Sequence, residues 1–188
     1  MRHKYATRGV VLMRGPSREA GQFVTLLTED LGLVRARAEG LRKPGSKLVH
    51  ALQTLSESDV VLLSGKDGWR LAGAVLEENW FGKLSREGRL RAGRVASLLL
   101  RLVQGEGREH ALYGIYAAFL SALPRLSEEE QDAAECLVAL SMLNALGLDN
   151  GEVPPHESIY ASETLAVAVA ERKQLVARIN RGIAASGL

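Results

Sequence analysis

The stretch Gly32-Leu33-Val34-Arg35-Ala36-Arg37-Ala38 alternates apolar residues with arginines at a period of two. That is the side-chain period of a strand, so Val34, Ala36 and Ala38 share one face and Arg35 and Arg37 the other. A sheet that buries the first face exposes both arginines. Outward from this stretch, apolar runs recur at 5–13, 23–27, 60–63 and 69–76. Turn-forming clusters punctuate them at Arg14-Gly15-Pro16-Ser17, Glu29-Asp30-Leu31-Gly32 and Gly65-Lys66-Asp67-Gly68. Five short strands separated in this way predict a small closed barrel over residues 1–80. Between the third and fourth runs, 48–55 reads as either a short helix or an extended segment.

After Trp80 the period lengthens to 3.6. Val95, Leu98, Leu99 and Leu102 form one helical stripe, and Leu112, Ile115, Tyr116, Phe119, Leu120 and Leu123 another. Pro124 ends that helix. Ser127 and Glu130 have capping-box spacing for a third helix that runs to about Ala145 and is closed by Gly147. Beyond the turn at 149–155, one helix is expected over 162–184. The fold class is therefore α+β with two domains, a five-stranded barrel over 1–80 and an α-helical domain over 81–188.

The 188 residues are 46% hydrophobic and 24% charged, the balance of a soluble globular protein, with no apolar run of membrane-spanning length. The basic start, MRHKYATRG, runs into an apolar stretch too short for a signal peptide, so a cytoplasmic location is expected. The net charge of +2 hides an asymmetry: residues 1–47 carry ten Lys/Arg against four Asp/Glu, whereas 125–188 carry five against ten. A polyanion is most plausibly met by the first segment. The single cysteine, Cys136, excludes an internal disulfide or a cysteine-built zinc site within these residues, and its neighbours Leu137 and Leu140 mark it as a core residue.

Several chemistries fail for specific reasons. Gly40 and Gly45 have the spacing of a triphosphate-binding loop, but Ser46-Lys47 reverses the required order and Pro44 removes a backbone donor. His3, His50, His110 and His156 are scattered without a partner at ligand spacing, and no serine has the context of a hydrolase nucleophile. Glu128, Glu129 and Glu130 suit the first turn of a helix. Nothing demands an enzyme, a cofactor, a metal or a small-molecule substrate. Binding remains: Arg35 and Arg37 on the barrel, Arg14 and Arg18 in one loop, and Arg42, Lys43 and Lys47 in another would form a groove for a phosphate backbone. Tyr5, Phe23, Trp69, Trp80 and Phe81 read as core residues rather than as stacking platforms, so base reading is not expected.

The segments 7–12, 24–28 with 31–33, and Ala38-Glu39-Gly40-Leu41-Arg42-Lys43-Pro44-Gly45-Ser46-Lys47-Leu48, followed by Leu52-Gln53, resemble the N-terminal half of the bacterial RecO family of DNA repair and recombination proteins. The resemblance implies an oligonucleotide/oligosaccharide-binding (OB) barrel followed by a helical domain. It further implies single- and double-stranded DNA binding, strand annealing and recombinase loading. The implied partners are RecR and the acidic C-terminal tail of single-stranded-DNA-binding protein. Many members carry a four-cysteine zinc module after the helix ending in Leu-Gly, whereas here Leu146-Gly147 leads into LDNGEVPPHESIYAS without a cysteine. A second reading makes the barrel structural and the helical domain an adaptor, with Arg86, Arg89, Arg91 and Arg94 receiving an acidic-hydrophobic tail. A third is an RNA-binding barrel, because a backbone-reading surface need not distinguish the sugars.

Overall fold

The computed structural model describes residues 3–16, 21–39, 47–103 and 110–187, which divide into two compact units. The first extends to Lys83 and takes in the start of a later helix as far as Tyr113; the second begins at Leu84 and resumes at Gly114.

In the first unit the strands are β1 (His3–Arg14), β2 (Gln22–Thr28), β3 (Gly32–Ala38), β4 (Ser56–Gly65) and β5 (Gly68–Asn79), with short helices α1 (Lys47–Ala51) and α2 (Trp80–Lys83). They close into a barrel in the order β1-β2-β3-β5-β4. Among the described strands only the β3–β5 junction is parallel, from Ala36 opposite Trp69 to Ala38 opposite Leu71. The period-two pattern has the expected effect: Val34, Ala36 and Ala38 are at most 1% exposed, in a core with Val11, Val24, Leu26, Leu52, Val60 and Leu62. Register shifts in β1 between Val11 and Met13, and in the β4–β5 ladder, bend the strands enough for closure. Of the segment left open between helix and extension, 48–51 belongs to α1 and 52–55 turns into β4; Leu48 and Leu52 pack into the barrel core.

Two turns set the register. Between β2 and β3 the buried Thr28 hydroxyl donates to Gly32 O at 2.8 Å and accepts from Leu31 N at 3.2 Å. The β4–β5 hairpin turns through Lys66-Asp67, and Gly68 at φ +84° takes the left-handed conformation that closes it. β4 begins four residues before the apolar run because Ser56, Glu57 and Ser58 are buried with their hydrogen bonds satisfied. The hydroxyls of Ser56 and Ser58 donate to His50 O and Ala51 O. Glu57 accepts from Tyr113 Oη at 2.6 Å and from the Trp80 indole N–H at 2.8 Å.

The second unit contains α3 (Arg86–Leu102), the remainder of α4 (His110–Ala122), α5 (Glu128–Ala145), α6 (Ser162–Ala170) and α7 (Arg172–Ala185). α5 is central: every residue from Cys136 to Leu143 is buried, and α3, α6 and α7 all pack on it. Its start carries the capping box read from the sequence, Ser127 with Glu130. The single terminal helix expected over 162–184 is instead two, broken at Glu171 with φ −96° and ψ 11°. Neither Pro nor Gly stands at the break. Both segments must lie on α5: α6 buries Leu165 and Ala168, and α7 brings Gly182 so close to Leu143 that a Cβ there would sit 3.0 Å from its Cδ1. Tertiary packing thus overrides local propensity. No described helix is long and apolar enough to cross a membrane.

Candidate nucleic-acid interface

Strand alternation delivers Arg35 and Arg37 to the outer face of β3. Arg35 is exposed, and its guanidinium carbon lies 4.5 Å from the centre of the Phe23 ring on β2. Arg37 stands directly opposite Phe23 in the β2–β3 ladder and beside Arg70 in the β3–β5 junction. Glu39 sits between the two arginines, 3.4 Å from Arg37 Nη2 and 2.8 Å from Arg70 Nη2. Gly21 seats Arg37: at φ +112° it brings its backbone close to Ala38 O and the Arg37 side chain, and an added Cβ would meet that carbonyl at 2.9 Å.

Arg37, Arg70 and Glu39 border a cleft of about 360 Å³ at the β4–β5 hairpin, lined also by Lys66, Asp67 and Trp69. Tyr5 meets Trp69 edge-on there, with centroids 5.3 Å apart. At the far end of β1, Arg14 Nη2 donates to Gln22 Oε1 at 2.9 Å. The structure therefore gathers Arg35, Arg37 and Arg70 on adjoining strands and leaves Arg14 at the β1–β2 end. Arg18, Arg42 and Lys43 lie outside the described residues, as does the side chain of Lys47.

Reading the sequence does not single out Lys66, Arg70 or Glu39, because a parallel β3–β5 junction is invisible to local periodicity. Nor does it give the aromatic surface correctly. Phe23 is 40% exposed and Tyr5 38%, and Phe81 is also exposed, where core positions are expected. Trp69 and Trp80 are partly buried, the first against the barrel core.

In the helical unit two basic residues of α3, Arg91 and Arg94, meet acids. Arg91, with only 11% of its side chain exposed, holds Asp132 at 3.0 Å and Glu135 at 2.8 Å. Arg94 grips Glu135 at 2.6 Å through Nε and Nη2, and Arg172 pairs with Asp132. The hydrogen bond from Arg172 holds the Asp132 carboxyl below the ordinary range against the opposing effect of burial. Arg86 and Arg89 stand on the first turns of the same helix. Burial first, then nearby Asp132, pushes the Cys136 thiol up, in keeping with a core residue. Among the described residues no group of His, Cys, Asp and Glu is arranged to hold a metal ion.

A closed five-stranded barrel in the order β1-β2-β3-β5-β4, with a helix between the third and fourth strands, defines the OB class. Residues 1–76 match the family described as "Recombination protein O N terminal". A DNA repair protein RecO of Heliobacterium modesticaldum is 30% identical over 143 residues, covering 76% of this chain and 51% of that protein. Its counterpart in Desulforudis audaxviator is 35% identical over 130 residues, 68% of this chain and 50% of that protein. The chain belongs to the RecO family. It spans about half the length of these two curated relatives.

Proposed function

We propose that this protein is a non-enzymatic, DNA-binding recombination mediator that acts in DNA repair in the bacterial cytoplasm and contacts DNA through its barrel. The observation that carries this reading is the convergence of Arg35, Arg37 and Arg70 on adjoining strands of an OB barrel in a chain whose relatives are named DNA repair proteins. Guanidiniums spaced along strands suit consecutive phosphates, and counterion release supplies the affinity. The loop residues Arg18, Arg42, Lys43 and Lys47, with Arg14, extend the proposed contact set. Single- and double-stranded DNA are the proposed ligands; annealing, recombinase loading, RecR and the acidic tail of single-stranded-DNA-binding protein belong to the same proposal. For that tail, Arg91 and Arg94 are poorly suited receivers, because their guanidiniums already hold Asp132 and Glu135.

Four to six phosphate contacts give a log–log salt slope of about −3 to −4 on a single strand. Fluorescence anisotropy across a salt series should return that slope for the wild type. Both Arg42→Ala/Lys43→Ala/Lys47→Ala and Arg37→Ala/Arg70→Ala should flatten it. Slopes unchanged in both variants would refute the assignment of the barrel surface.

A further inference from the structure

The outer face of β1 and β2 carries an aromatic and a thioether where a solvated sheet would carry polar groups. Met13 is 47% exposed and Phe23 40%. Met13 faces Thr25 across the β1–β2 ladder, which places it diagonally next to Phe23 on the same outer surface. Arg35 already stacks on the Phe23 ring, and Arg37 lies directly across the ladder. An exposed phenyl ring has no use for water, and a guanidinium over it holds its orientation. Each unpaired base of a nucleic acid has a flat π-face and a neighbouring phosphate. Here a flat apolar face and two cations lie within one ladder step of each other.

We propose that Phe23, oriented by Arg35, is a stacking platform for one unpaired base of single-stranded DNA, with Met13 at its edge and Arg37 beside the adjoining phosphate. This rests on the barrel being the DNA-binding surface, and it adds a selectivity which that reading lacks. Phosphate contacts bind duplex and single strand alike, whereas a base can lie on Phe23 only when it is unpaired.

The test compares a thymine oligonucleotide with an abasic strand of equal length, which keeps the phosphates and removes the bases. The wild type should bind the thymine strand more tightly. Phe23→Ala should lose roughly tenfold in affinity for the thymine strand and little for the abasic one, leaving the salt slope unchanged. Phe23→Tyr should restore the difference. Thermal melts of each variant monitor folding, and an exposed position predicts little change. Equal binding of both strands by the wild type, or a base-dependent difference that survives in a folded Phe23→Ala, overturns the platform while leaving barrel binding intact. No binding of either strand by the wild type overturns the DNA-binding reading and the platform with it.

Discussion

The barrel and the helical unit spend their arginines in opposite ways. In the helical unit Arg91, Arg94, Arg172 and Arg178 each hold a carboxylate, from Asp132, Glu135 or Asp149. Their charge is consumed in joining helices. On the barrel, Arg8 also holds a carboxylate of its own, Asp59, but Arg35 rests on an aromatic ring, Arg14 is held by an amide, and Arg37 and Arg70 share the single carboxylate of Glu39. Charge is left over there. The number of basic residues in a segment is thus a poor measure of the field it presents, because the acids that fold back onto them decide it.

The contrast can be broken or sharpened by substitution. The largest effect belongs to the core that carries the barrel's charged face: Leu26→Ala, at a fully buried position, should cost about 3 kcal/mol by denaturant melt and weaken DNA binding only as far as the barrel unfolds. Next, Arg91→Ala removes the most buried cation of this network, the one shared by Asp132 and Glu135, and leaves Asp132 to Arg172 and Glu135 to Arg94. A loss of about 2 kcal/mol is expected, with no change in DNA affinity. A loss of DNA binding in a folded Arg91→Ala would place this cation in the interface and remove the contrast.

The pair between Asp149 and Arg178 gives a smaller, pH-dependent effect. The guanidinium donates to both carboxylate oxygens, at 2.8 and 2.5 Å, and holds Asp149 below the ordinary carboxylate range despite burial. A carboxyl lowered in the folded state binds protons more readily when unfolded, so its contribution is complete at neutral pH. It disappears as pH falls below about 4. Asp149→Asn should therefore lose about 1 kcal/mol at pH 7 and show a flatter stability profile on the acid side, readable from thermal melts across pH. Smallest of all, Glu39→Gln releases Arg37 and Arg70 from their carboxylate and should tighten single-strand binding about two- to fourfold at low salt. The gain should vanish at high salt.

Much of this was legible in residues 32–38, because a strict alternation of apolar and charged side chains has one strand solution and one buried face. The capping box at Ser127 was equally local. What stayed hidden depends on contacts distant in sequence. Ser56, Glu57 and Ser58 look like a loop until Tyr113, Trp80 and the α1 carbonyls satisfy them. The break at Glu171 follows from the surface of α5, with no local signal. Phe23 looks like core because phenylalanine usually is; its register opposite Arg37 faces it outward. The ion pairs of Arg91 and Arg94 depend on a helix some forty residues away in the chain, so their basic run reads as available charge.

The two tryptophans of the chain, Trp69 and Trp80, both belong to the barrel unit, one at the rim of the cleft and one donating to Glu57. The residues of the helical unit include none. Emission excited at wavelengths that spare tyrosine is therefore a built-in optical label for one half of the molecule. A strand arriving beside Trp69 should change it.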